Sequence, residues 1–200
     1  MKTGFRFLTV LSLVLLLPAC APAAPASKPN MTQAELVKAY ETAFNNHDVD
    51  GTLALMAGNP HIQDEIYGVN IDGQRQAQGF FDYLFTLNAN MKISDCENTS
   101  EATVVCKTTY NDDCTRAACM EDYRRDLQFN FLGQAIQRLA WTNDAEQDLQ
   151  KYCDFMDQYE PWLKTAYPDE FDQVMNEPYF DHTLGEINSQ RCQEFAAASK

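Results

Sequence analysis

Two hundred residues carry 29 acidic side chains against 15 basic ones, a formal net charge of −14. That balance argues against nucleic acid as a partner, because phosphates demand a basic footprint, and against adsorption to anionic lipid head groups. Hydrophobic residues make up 45% of the chain, enough to bury a real core in the single domain that this length suits.

Lys2 and Arg6 form a basic n-region, Phe7 to Leu17 an apolar h-region, and Leu17-Pro18-Ala19-Cys20 sets a small residue before a cysteine. The layout resembles a bacterial lipoprotein signal over residues 1–20, with Cys20 as the lipidated mature N-terminus. The apolar run is shorter than the ~20 residues of a membrane-spanning helix. A place in the bacterial cell envelope is expected, facing the periplasm or exterior, with the lipid anchor as the sole membrane contact. Without Lys2 and Arg6, 13 basic residues face 29 acidic ones, a net −16. Ala21 to Asn30, APAAPASKPN, is an Ala/Pro-rich tether that builds no core.

From Met31 the pattern becomes helical. Thr32 with Glu35 forms a capping box, and Leu36, Tyr40 and Phe44 recur every four residues on one face. Asn45-Asn46 ends that helix, Asp48 caps a shorter one carrying Leu53, Leu55 and Met56, and Gly58-Asn59-Pro60 ends it in a turn. The alternation His61 to Tyr67 reads as a strand. Gly73 to Asn88 is a helix with a thick apolar face, which needs a broad partner such as a sheet. Four strands follow at Met91–Cys96, Thr103–Tyr110, Asp122–Phe131 and Gln134–Thr142, with Leu132-Gly133 in the last hairpin turn. Beyond Thr142, a helix capped by Thr142 or Asn143 is expected to about Tyr159. Pro161, Pro168 and Pro178 then punctuate short segments, and Glu186–Ala198 is a last helix. The aromatic content of residues 143–200 predicts an extension that folds back on the domain.

With Cys20 lipidated, six cysteines remain, an even count that predicts three disulfides in an exported chain. Cys96 and Cys106 lie on successive strands and can face each other. Cys114 and Cys119 bracket a small loop, which leaves Cys153 and Cys192 to staple the C-terminal helices. A metal site is not expected, for there is no C-x-x-C pair and there are three histidines. Nothing in the sequence calls for a cofactor: phosphate-cradling loops, nucleophile elbows and Cys/His nucleophile constellations are all missing.

The order helix, Asn45-Asn46-His47-Asp48 link, short helix, turn and acidic strand resembles the opening of an NTF2-like (SnoaL-like) domain. Gly73-Gln-Arg-Gln-Ala77 is similar to that family's next helix start, and Leu127 to Ile136 to its hairpin before the last strand. The resemblance spans residues 31–142. It implies an α+β fold in which a curved antiparallel sheet wraps the N-terminal helices into a cone with an internal pocket. The ketosteroid-isomerase branch of the superfamily places a Tyr on the first helix and an Asp on the first strand, where Tyr40 and Asp64 stand here. Asp64 would be the general base and Tyr40 the oxyanion donor of an isomerase or cyclase, since an apolar pocket raises a carboxyl pKa and a phenol can stabilise an enolate. Where that branch has a further acid on the third strand, this chain has Arg125. Phe44, Phe80, Phe81, Phe85 and Trp141, with Arg125, are the expected pocket lining. His61, three residues before Asp64, points to the opposite strand face and forms no dyad with it.

Three functions follow. The preferred one is an envelope lipoprotein binding a small apolar or amphipathic molecule without catalysis. The others are the Asp64/Tyr40 isomerase or cyclase, and an interaction or homodimer module using the sheet face.

Overall fold

Thr32 opens the fold as its capping box predicts. Its hydroxyl accepts from the Glu35 amide, and the Glu35 carboxylate accepts from the Thr32 amide at 2.8 Å. The structure, a computed structural model, describes residues 30–64, 68–176 and 179–199. The expected signal, the lipidation site Cys20 and tether residues 21–29 lie outside the described residues. Among those described, no helix is long and apolar enough to cross a membrane.

Helix α1 (Gln33–Asn45) buries Leu36, Val37, Tyr40 and Phe44, and α2 (Val49–Ala54) is capped by Asp48. Strand β1 (Met56–Asp64) begins earlier than the sequence suggests, because Gly58-Asn59-Pro60 runs in extended conformation rather than turning. The β1–β6 register shifts between Met56 and His61, and that irregularity accommodates Pro60, which has no N–H to give a ladder. The four-residue strand β2 (Val69–Asp72) pairs beside β1, and α3 (Gln74–Thr86) follows. Strands β3 (Asn90–Ser100), β4 (Thr103–Asn111), β5 (Tyr123–Leu132) and β6 (Ala135–Thr142) complete the sheet. A five-residue helix, α4 (Asp113–Ala117), interrupts the strands.

The six strands lie in the order β2-β1-β6-β5-β4-β3, antiparallel except for β1 beside β6. The sheet is curved and unclosed, and α1 and α3 fill its hollow. There Tyr40, Phe44, Phe81 and Phe129 are wholly buried, and each phenylalanine contributes about 1.5–3 kcal/mol through removal from water. The α+β architecture expected from the sequence is present.

The C-terminal part folds into α5 (Glu146–Ala166), α6 (Pro168–Asn176) and α7 (His182–Ala198). α5 does not stop near Tyr159 but continues through Pro161, because Phe155, Tyr159 and Leu163 make one buried stripe. Its N-cap is Ala145, since Asn143 takes a left-handed φ of 50°. α7 begins four residues early, with Asp181 accepting from the Leu184 amide. These helices share a second apolar cluster, closed by Arg191, which is paired at 2.7 Å to both Glu170 and Glu194. α7 then lies against α3 and α4. The contact is close because Gly185 meets the Tyr83 carbonyl and Thr86, and Gly79 meets the Phe180 carbonyl.

Cys96 and Cys106 form the expected disulfide across β3 and β4. The other two expected pairs do not form. Cys114 is joined to Cys192, which fixes α4 to α7, while Cys119 and Cys153 are exposed free thiols. The physical reason is α4: the helix turns Cys114 toward α7 and leaves Cys119 beyond its end, at a φ of 58°. Cys153 stands on the outward side of α5 from the buried Tyr159 stripe.

Candidate functional site

Strand register gathers the polar groups at one end of the sheet. Asp64 ends β1 opposite Trp141, Arg125 lies opposite Thr108, and Tyr123 opposite Tyr110. Asp64 and Arg125 are both buried and are paired at 2.7 Å. The Arg125 Nε donates to Asp144 at 2.9 Å, just past β6, and the Tyr123 hydroxyl donates to the other Asp144 oxygen at 2.5 Å. The Arg125 guanidinium also stands 5.5 Å from the Tyr123 ring centroid and 5.8 Å from that of Trp141, within cation–π range. One cation thus holds two carboxylates in a setting where removing either sign is costly.

Asp64 and Arg125 border a cavity of about 200 Å³, with Trp141 and Phe80 in the same wall. A second acid, Asp112, stands elsewhere in the wall. Its carboxylate accepts from the Thr115 amide at 2.7 Å and the Tyr110 hydroxyl at 2.8 Å. Burial pushes the Asp112 carboxyl above the usual range, and the hydrogen bonds it accepts only partly offset this. Tyr83 lies beside it, its phenol pushed far up by burial and accepting from Asn188 at 2.8 Å. Tyr152 of α5 and Phe180, just before α7, also line it, so the C-terminal extension forms part of the wall. A larger cleft of about 490 Å³ adjoins it between β2 and the extension, and shares Tyr83, Asp112, Tyr152 and Phe180.

Of the expected site residues, Asp64, Arg125, Phe80 and Trp141 line this cavity, whereas Tyr40, Phe44, Phe81 and Phe85 do not. Tyr40 is packed edge-on against Phe81 and Phe129 and has no exposed surface. Its hydroxyl has no hydrogen-bond partner among the described residues, and burial pushes the phenol far above its ordinary value. Phe44 and Phe85 meet edge-to-face at 5.1 Å in the core. The structure therefore brings Asp64 to the cavity without Tyr40. His61 faces away, as its spacing implies, and meets Asp72 at 2.7 Å. No cluster of metal-ligating side chains occurs among the described residues.

Sequence reasoning did not place Asp112, Asp144, Tyr110, Tyr123, Tyr152 or Phe180 at the pocket. A signal existed for Asp112: Asp112 and Thr115 have capping-box spacing, and both reciprocal bonds form. Asp144 carries no local signal, for its partner is 19 residues away.

No protein-family model matches the sequence, and no curated protein matches it by sequence. Solved structures do match. A protein from Catenulispora acidiphila with a ketosteroid-isomerase-like fold, in complex with trimethylamine, has 15% identity and a TM-score of 0.50 over 61% of this chain and 95% of its own. The fold is NTF2-like. SalBIII, an epoxide hydrolase/cyclase-like enzyme of pyran ring formation in salinomycin, has 14% identity and a TM-score of 0.50 over 57% and 92%. An NTF2-like protein from Cytophaga hutchinsonii has 10% identity and a TM-score of 0.49 over 62% and 99%. Nearly the whole of the Catenulispora acidiphila protein and of SalBIII is matched by about three-fifths of this chain, so the NTF2-like fold here carries substantial additional sequence.

Proposed function

We propose that this chain is an envelope-anchored lipoprotein that binds a small molecule in the hollow of its NTF2-like fold, without chemistry on it. The observation that carries the reading is the cavity itself, ringed by aromatic side chains and lined in part by the extension through Tyr152 and Phe180. Ligand sites on proteins are concave and mostly apolar with a few placed polar groups, and Asp64, Arg125 and Asp112 supply those. Two features favour binding over the isomerase or cyclase. Asp64 is held by Arg125 at 2.7 Å, so its carboxylate is already engaged by a guanidinium. The phenol expected to polarise a carbonyl, Tyr40, lies in the core away from the cavity. The interaction reading draws less support, because the outer sheet face presents Lys107, Gln128, Asn130, Arg138 and Gln63 rather than a broad apolar patch. Residues 1–20 motivate the anchor through their n-region, h-region and Cys20.

Native mass spectrometry of the full chain, released from detergent with its disulfides intact, tests the proposal. A bound species that leaves on collisional activation, and that Phe180→Ala fails to retain, is the expected result. A bare chain at every activation energy, or turnover of an enolisable carbonyl compound abolished by Asp64→Asn, overturns it.

A further inference from the structure

The charge and ring content of the cavity narrow the ligand class, on the binding reading above. Among the described residues three carboxylates belong to the site: Asp64 and Asp112 in the wall, and Asp144 behind Arg125. One guanidinium stands among them, already shared by Asp64 and Asp144. The balance is negative with Asp112 ionised and still negative with it protonated. Charge beside buried side chains is only partly screened, so an anionic ligand would be repelled. A neutral apolar ligand would bury the Asp112 carboxylate against hydrocarbon with no compensating charge.

The rings point the same way. Trp141, Phe80, Phe180 and Tyr83 contact one another in series, with centroids 6.1, 5.3 and 5.0 Å apart, and Tyr123 meets Tyr152 at 6.1 Å. This wall already holds one cation by its rings, the Arg125 guanidinium over Tyr123 and Trp141. Both Asp112 oxygens accept hydrogen bonds and Asp64 is tied to Arg125, so the site offers charge and aromatic surface more than vacant acceptors. That suits a methylated ammonium, whose charge is spread over C–H groups, better than a metal ion, which needs several oxygen ligands. The cavity, at about 200 Å³, lies below the ~300–1,000 Å³ of drug-sized sites and fits a small head group.

We propose that the cavity binds a small tertiary or quaternary alkylammonium ion, caged by the Trp141, Phe80, Tyr83, Tyr152 and Phe180 rings and balanced by Asp112 and the Asp64–Arg125–Asp144 cluster.

Isothermal titration of the full chain, in detergent and oxidised, tests this with three probes of one shape: choline, its uncharged carbon isostere 3,3-dimethylbutan-1-ol, and the anion 3,3-dimethylbutanoate. Choline is expected to bind about tenfold or more tighter than the isostere, the size of a desolvated cation–π contribution, with the anion weakest. Asp112→Asn keeps a good helix cap and should remove about tenfold of the choline affinity while leaving the isostere unchanged. Tyr152→Leu, at a half-buried position, should lower choline binding in the same selective way with the melting temperature held. An isostere that binds as tightly as choline, or variants that weaken both alike, overturns the cation inference and leaves the binding pocket standing. No saturable binding by any of the three overturns the cation inference, and a bare chain in the native mass spectrum would then sink the pocket as well.

Discussion

The Cys114–Cys192 bridge gives the sharpest test of how the extension is held. It closes a loop with a sequence separation of 78, whereas Cys96–Cys106 closes one of 10. On the chain-entropy account, a loop of that longer length removes about 4–5 kcal/mol of denatured-state freedom, and the shorter one about 3. A Cys114–Cys119 bridge, had it formed, would contribute only about 2. Cys114→Ala and Cys192→Ala should therefore each lose about 4 kcal/mol in urea unfolding under non-reducing conditions, and the double variant should lose little more, because either change breaks the one bond. Cys119→Ala and Cys153→Ala, both exposed thiols, should stay within about 0.5 kcal/mol of the parent. Breaking the long bridge should also raise the urea m-value, since an unlinked denatured chain exposes more surface. Non-reducing peptide mapping reads the connectivity directly. A loss at Cys119 equal to that at Cys114, or at Cys153 equal to that at Cys192, would refute the pairing and with it the clamp of α7 on α4.

Three further outcomes follow from buried or crowded groups. Arg125→Met strands Asp64 and Asp144 beside each other in the interior, and should cost about 3–5 kcal/mol near neutral pH; the loss should shrink as acid neutralises the two carboxyls, and a pH-independent loss below about 1 kcal/mol would contradict their burial as charges. Gly79→Ala drives a methyl into the Phe180 carbonyl and should destabilise by about 1–3 kcal/mol in chemical denaturation, whereas Gly58→Ala, with open space around it, serves as the control. Glu194 accepts from Tyr167, Gln190 and Arg191, which pull its carboxyl down to about 2 from an ordinary 4.5. A depressed folded-state pKa means the stabilisation is full above pH 4.5 and drains away as pH falls toward 2. The melting temperature of Glu194→Gln should accordingly fall less steeply across that window than the parent's, and parallel curves would rule the assignment out.

What the sequence made legible was what local chemistry writes. The Thr32/Glu35 box, the α1 stripe of Leu36, Tyr40 and Phe44, and the apolar face of α3 are set by neighbours three or four residues apart, and all stand where expected. Features decided by distant partners were not legible. Gly58-Asn59-Pro60 has turn composition, yet it runs extended between the rungs at Met56 and His61, with the Asn59 carbonyl accepting from Gln137 and the Pro60 carbonyl from the Gly73 amide. Phe80 and Phe81 are adjacent in one helical face, yet only Phe80 borders the cavity, because a hydrophobic stripe distinguishes inside from outside and not core from hollow. Arg125 was placed at the site by its strand position, but Asp144 was not, because its side chain enters only after β6 has paired with β5. The Cys114 partner likewise depends on α7 returning across α3, which no spacing along the chain encodes.

The same return of α7 ties stability to occupancy. Two of the cavity's side chains, Tyr152 and Phe180, belong to the extension, and the extension is fastened to the sheet domain by the Cys114–Cys192 bond, the Arg124–Asp148 pair and the close helix contact at Gly79 and Gly185. Any ligand that touches both parts binds the docked form better than an undocked one, so it must stabilise docking by the same free energy by which docking strengthens it. At a ligand concentration a hundred times Kd that stabilisation is about 2.7 kcal/mol. The increment should appear in the parent as slower amide exchange in α5 and α7 together with the rim of the cavity, and it should be reduced in a Cys114→Ala/Cys192→Ala chain whose affinity has fallen. Ligand protection confined to the sheet domain, with the extension exchanging as before, would mean that Tyr152 and Phe180 only border the hollow and take no part in holding what it contains.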